Sequence, residues 1–282
     1  MLLRNASTLC AFGVLGLMAQ SAHADGAPDK ETDRTFSLDA GLTYSSGKYG
    51  ASSNTDIAEL PLTLGYDVGD WSFSLDLPYI YVSGPDNVIP GVGQVENKNP
   101  KRRGHKKKNV PPSQTPPVSV ASASGMGDID TSVTYTAFSN DTGDFSIDLT
   151  GAVKFGTASA NEGLGTGQND YSFNVDVYKN FGMLTLTGGV GYTWLGSSPN
   201  IRLNDVWTAT GGVNYRLTNK SSFGAYYDYQ EKASRTSFAQ NEVAGYYSYK
   251  FARAWKAKAY VSKGFTAGSP DWGVGATVFY SF

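Results

Sequence analysis

Carboxylates recur along this chain on the polar phase of alternating apolar–polar segments. Asp39, Glu59, Asp76, Asp128, Asp130, Asp148, Asp176, Asp228 and Glu242 all occupy such positions. Lys154, Arg216, Lys250, Lys256 and Lys258 share that phase, and the last four fall in the later segments. A packed soluble core does not usually carry so many charges. Pointing into a closed sheet, they set up a transverse field across a pore, or they cross the lumen as salt bridges and close it. Either arrangement relieves the cost of burying charge, and the sequence leaves both open.

Other chemistry is excluded by residue type. The two histidines are His23, near the N-terminus, and His105, inside a run of cations. No Ser–His pair can form on an alternating segment, so a hydrolase triad is not expected. The single cysteine is Cys10, and no His/Cys cluster suggests a metal. "GTGQND" (165–170) is glycine-rich but lies between strand-like segments rather than before a helix, so it is no phosphate cradle. We expect no catalytic residues, no metal and no cofactor.

Two further groups stand out. The stretch "ENKNPKRRGHKKKN" concentrates Lys98, Lys101, Arg102, Arg103, Lys106, Lys107 and Lys108 within a chain of formal net charge −2. These cations suit lipopolysaccharide phosphates or another anionic surface polymer. Nucleic acid is not expected, because the run has no interleaved aromatics and the chain reads as exported. Pro61 and Pro78 fall inside strand-like segments, where a missing N–H donor weakens a sheet. With the turn at Val68–Gly69 setting the register, Pro78 is expected opposite Glu59 and Pro61 opposite Asp76. A kinked wall beside two carboxylates suggests a lateral exit for apolar solutes, or a bulge that shapes the sheet.

The elements that position these residues follow from a period of two. Phe36, Leu38, Ala40, Leu42 and Tyr44 alternate with small or polar residues, as do Trp71, Phe73, Leu75, Leu77, Tyr79 and Tyr81. Such segments have one apolar and one polar face. Twelve of them follow one another from Thr35, most about ten residues long, the length of a tilted membrane strand (~9–11 residues). Short turns alternate with longer links at 46–55, 84–125, 156–169, 196–204, 231–240 and 266–271. The expected fold is all-β: a transmembrane up-and-down antiparallel β-barrel of about 12 strands, with long loops outside and both termini periplasmic. The link 84–125 reads as a long, basic, Pro-rich extracellular loop.

Both ends agree with this. Residues 1–24 have one cation, an apolar stretch and Ala22-His23-Ala24, which reads as a secretory signal peptide. That leaves 25–282 for the barrel. The last segment, "WGVGATVFYSF", must pair with the strand near Phe36–Tyr44, because lipid leaves no sheet edge unsatisfied. Its Tyr280-x-Phe282 ending resembles the signal read by the barrel-assembly machinery. By alternation Tyr178, Tyr226, Tyr246, Tyr260 and Phe279 face inward, while Trp71, Trp194, Trp207, Trp255 and Trp272 belong to interfacial girdles.

Taken together these segments resemble the MetA-pathway phenol-degradation family of outer-membrane barrels. The resemblance runs from about Thr35 to Phe282. It rests on "AELPLTLGYDVGDWSFSLDLPYIYVSG" with its two prolines, "GMGDID", "KFGTASANEGLGTGQNDYSF" and "VGATVFYSF". It implies passage of small hydrophobic or aromatic compounds. The basic insert at 97–117 departs from the family pattern, so no binding role there follows from it. The expectation is a non-enzymatic channel in the outer membrane of a Gram-negative bacterium, with Glu59, Asp76 and the inward tyrosines along the solute path. Its partners would be outer-membrane lipid and lipopolysaccharide, the assembly machinery and small apolar solutes. The alternative is a non-transporting surface barrel whose basic loop binds lipopolysaccharide or another anionic polymer.

Overall fold

The computed structural model describes residues 34–104 and 119–282. The expected signal peptide, with Cys10, lies outside the described residues, as do His105, Lys106, Lys107 and Lys108. Among the described residues there is no helix, and the strands form a closed antiparallel barrel of twelve staves. Three staves are β1 (Arg34–Gly47), β2 (Thr55–Val68) and β3 (Trp71–Pro85). The fourth is broken into β6 (Val120–Met126) and β7 (Ile129–Ser139), both paired with β3. The others are β8 (Phe145–Phe155), β9 (Asp170–Phe181), β10 (Leu184–Trp194), β11 (Val206–Arg216), β12 (Ser221–Gln230), β13 (Gln240–Lys250), β14 (Trp255–Gly264) and β15 (Trp272–Ser281). A small hairpin, β4 (Val88–Ile89) with β5 (Gly93–Gln94), lies off the main sheet.

Each stave pairs with its chain neighbour, and β15 closes the sheet on β1 from Ser37↔Ser281 to Ser46↔Trp272. The backbone N–H of Phe282 adds a bond to the Phe36 carbonyl (2.9 Å). A closed ladder leaves no sheet edge open, which lipid demands. The outward phase is apolar: Leu42, Leu60, Leu62, Leu64, Phe73 and Val190 are all exposed. The five tryptophans are exposed as well and form two bands. Trp71 and Trp255 open strands at the short-turn end, whereas Trp194, Trp207 and Trp272 sit at the long-loop end. An apolar belt between two aromatic girdles is the surface of a membrane barrel.

The proline register differs from expectation. The turn contains only Gly69 and Asp70, with Gly69 at φ 57°, and Val68 pairs with Trp71. This two-residue turn shifts the pairing by two positions, so Pro61 lies directly opposite Pro78, Glu59 opposite Ile80 and Asp76 opposite Thr63. The disturbance spreads sideways from the pair. The β1–β2 register omits the Gly41 and Leu42 positions that would face Pro61 and Leu60. On the other flank the fourth stave breaks at Gly127–Asp128, where Gly127 N–H donates to the Pro78 carbonyl (2.8 Å).

The long basic link also differs. Strand β3 runs on to Pro85 and β6 starts at Val120, so the connection is shorter than 84–125. Its described part, up to Gly104, is not a solvated loop. Val88 packs with Tyr49, Ile57, Ile80, Val82, Ala158 and Leu164 in one buried cluster. Ile89, Val92 and Val95 pack with Leu195, Ile201, Val206 and Ala233 in another. Backbone bonds tie Gln94 to Tyr49 (3.1 Å) and Lys98 to Asn200 (2.9 Å). Ser234 Oγ donates to the Gln94 carbonyl (3.1 Å). Gly93 also lies close to the Gly268 carbonyl. A segment bonded to or packed on four of the five other long loops, and near the fifth, lies across the mouth of the barrel as a lid.

Candidate functional site

The lumen is built from cross-strand rows, because every second residue of each stave points inward. One row runs Lys250–Lys256–Phe279–Asp39–Thr63–Asp76–Asp130–Lys154–Asp170, each residue registered against the next. A second runs Asp148–Asp176–Gly189–Thr210–Asp228–Glu242. The residues of both rows are buried or half-buried, on the phase opposite the exposed apolar residues.

Around the circumference the lining changes character. On the β3–β9 side carboxylates dominate. Asp76 accepts from Thr63 Oγ1 (2.5 Å) and Ser74 Oγ (3.0 Å). Lys154 Nζ sits 2.5 Å from Asp170 and 3.3 Å from Asp128, all three buried. Asp128 lies in the break between β6 and β7 and accepts the Ala158 N–H (2.8 Å), so this ionic group also holds a loop. Asp170 was not singled out from sequence, although its spacing from Ser172, Asn174 and Asp176 puts it on the same phase.

The β12–β15 side is aromatic and basic. Tyr226 and Tyr246 stack with ring centroids 5.3 Å apart and an interplanar angle of 11°. Lys258 Nζ lies 4.5 Å from the Tyr246 centroid and 5.8 Å from that of Tyr226. The Tyr246 hydroxyl donates to Asn214 Oδ1 (2.5 Å), and Tyr260 completes the buried cluster. Lys256 Nζ lies 5.1 Å from the Phe279 ring. Tyr178 is buried but stands apart from this cluster. Arg216 marks the short-turn end, where it donates to the Gly182 carbonyl (3.0 Å).

The cation run divides. Arg102 and Arg103 are 6% and 3% exposed, so the expectation that they meet an anionic surface is corrected. Arg102 Nε donates to buried Asp86 (2.6 Å), and Arg103 donates to the Pro85 carbonyl (2.9 Å). Both fold inward because the lid buries carbonyls and a carboxylate that need donors. Burial lowers the Arg103 guanidinium from its ordinary value, while Asp86 and Glu162 oppose that shift. Lys98 and Lys101 stay exposed, Lys98 beside Glu96 (3.2 Å).

At the end of β15, Tyr280 and Phe282 meet edge to face at 4.6 Å, and Tyr280 also packs on Trp255. Apolar outside, charged and aromatic inside, and closed by its last strand, the molecule is an outer-membrane-type β-barrel. A sequence profile of the family described as "Putative MetA-pathway of phenol degradation" matches residues 69–282, and the chain belongs to that family. Solved structures share the fold. The COG4313 outer membrane channel from Pseudomonas putida F1 superposes with a TM-score of 0.60 at 11% identity, covering 93% of this chain and 99% of that one. The NanC porin gives 0.54 at 12% identity over 86% of this chain and 98% of its own. The KdgM porin gives 0.53 at 13% identity over 87% and 99%. No match was found among curated proteins.

Proposed function

We propose that this barrel is a passive outer-membrane channel of a Gram-negative bacterium for small hydrophobic or aromatic compounds. The observation that carries the reading is the tyrosine face of β12–β14, where Tyr226, Tyr246 and Tyr260 line one side of an otherwise acidic lumen. A lipopolysaccharide leaflet resists apolar solutes, and an inner wall of stacked rings gives an aromatic molecule a surface on which to pass. The family description, with its phenol-degradation pathway, points to the same solute class. Glu59 and Asp76 flank the proline pair, where two facing residues lack N–H donors. That seam offers a sideways exit into the membrane, in place of a path straight through. The matched solved structures are channels and porins, which favours conduction over catalysis.

The test is uptake of labelled phenol by intact cells with and without the barrel, beside conductance in planar bilayers. Barrel-dependent uptake that falls several-fold in Tyr246→Ala is expected. Uptake equal in both strains sinks the channel reading. If Pro61→Val with Pro78→Val leaves phenol uptake unchanged, the exit runs elsewhere. The alternative of a silent barrel gripping lipopolysaccharide would rest on Lys98, Lys101 and the cations outside the described residues.

A further inference from the structure

Directly beneath the lid lies a small cavity, open on one side. Pro90 and Gly91 of the lid hairpin roof it. Glu59 of β2 and Glu242 of β13 line it from staves separated by β1, β15 and β14, and Tyr49 and Tyr260 line it too. The two carboxylates are 4% and 5% exposed, and Oε2 of each has no hydrogen-bond partner.

Among the described residues, the charged groups that act on them are acidic. The charged groups that act on Glu59 are Asp130 and Asp76, and the one acting on Glu242 is Asp228. Lys154 is taken up by Asp128 and Asp170. Lys258 lies over the Tyr226 and Tyr246 rings. Buried carboxylates without donors or cations are costly, and like charges around them raise that cost. A proton held on each carboxyl removes that cost, and a ligand carrying positive charge can take the proton's place.

The ligand class follows from what else lines the cavity. Among the described residues no group of three or more His, Cys, Asp or Glu side chains could hold a metal ion. Calcium takes six to eight oxygen ligands and magnesium an octahedral set. Two carboxylates with aromatic rings beside them are the recognition set for an organic ammonium ion instead, through charge-assisted N–H bonds and cation–π contact. Ile57 gives the cavity an apolar wall. We propose that the cavity under the lid binds an organic ammonium ion, its N–H donors on Glu59 and Glu242 and its hydrocarbon against Tyr49, Tyr260 and Ile57. This site does not depend on passage of a solute across the wall.

The test is isothermal titration of the full chain in detergent with benzylammonium, benzyl alcohol and benzoate, three ligands that share a ring and differ in charge. Saturable binding of benzylammonium, weak binding of the alcohol and none of benzoate are expected. Glu59→Gln with Glu242→Gln should lose affinity roughly tenfold or more, because a buried charge pair is truncated. Heat-modifiable gel migration checks that the double variant is folded. Benzyl alcohol binding as tightly as benzylammonium overturns the proposal, and that result needs no variant. A folded double variant that binds like the parent also overturns it. A barrel that binds benzylammonium but passes no current keeps the site and loses only the channel reading.

Discussion

At the short-turn end of the barrel, strands are joined by connections such as Gly69-Asp70, and turn-local hydrogen bonds such as those to Asp144 hold them. At the long-loop end, the lid and four loops bury two apolar clusters and the Arg102–Asp86 pair. The first end needs little beyond a chain that can reverse. The second needs side chains that fit, so substitutions of the same kind should cost more there. A membrane barrel obtains its rigidity from the closed ladder, which frees one rim to be minimal and the other to carry packed loops.

The largest effect should come from Arg102→Met. It leaves Asp86, 1% exposed, without its cation. Breaking a buried pair on one side costs about 3–5 kcal/mol, enough to detach the lid while the ladder stays closed. Higher single-channel conductance and new protease cleavage between Asn87 and Asn99 are expected, with heat-modifiable migration unchanged. Parent-like conductance and protease resistance would mean that the apolar clusters alone hold the lid.

A matched pair of glycine substitutions tests the ends directly. Gly84 has φ 154°, and a Cβ there would meet the Thr55 Cα and the Asn54 carbonyl at 2.7 and 2.9 Å. Gly84→Ala combines backbone strain with overpacking, about 2–4 kcal/mol. Gly69 has φ 57° and nothing within 4 Å of the added carbon. Gly69→Ala carries the backbone cost alone, ~1–2 kcal/mol. The midpoint of heat-modifiable migration should fall further for Gly84→Ala. Equal shifts would remove the contrast between the ends. Val88→Ala, in the cluster with Val82 and Leu164, should lie between them or close to Gly69→Ala, at ~1.5–3 kcal/mol.

The same contrast explains what could be read from the residues alone. Strand positions, inner and outer phases and the closure of Trp272–Ser281 on β1 all follow from one rule, a period of two, which survives without any knowledge of neighbours. The proline register rested on where the turn is centred, and a two-residue turn at Gly69-Asp70 in place of Val68-Gly69 moved Pro61 from Asp76 to Pro78. The lid has no period. Residues such as Val88, Val92 and Val95 are separated by proline, glycine and glutamine as well as Ile89, and their partners lie on loops distant in sequence. Arg102 and Arg103 looked like surface cations because only the folded lid reveals the buried Asp86 carboxylate and Pro85 carbonyl that take them. The Glu59–Glu242 cavity was half legible: each residue was on the inner phase, but nothing local showed that they share one space.

The smallest effect belongs to the short-turn end. Asp144 accepts bonds from Lys179 Nζ (2.7 Å), Asn140 Nδ2 (2.5 Å) and Thr142 Oγ1 (2.9 Å). The Lys179 bond, then those from Asn140 and Thr142, hold its carboxyl well below the usual carboxylate range. A depressed acid stabilises the fold in its charged form. Its contribution is therefore full above the unfolded aspartate value, about pH 4, and fades as the pH falls below that toward the folded value. The turn is open to water, so screening leaves the contribution small. Asp144→Asn should lower the heat-modifiability midpoint slightly at pH 7, and the gap to the parent should close as the pH is taken down through 4. A gap that stays constant across that range would assign the effect to the amide's altered hydrogen bonding. A gap as large as that of Gly84→Ala would show that the short turns carry side-chain energy after all, and the contrast between the two rims would have to be drawn elsewhere.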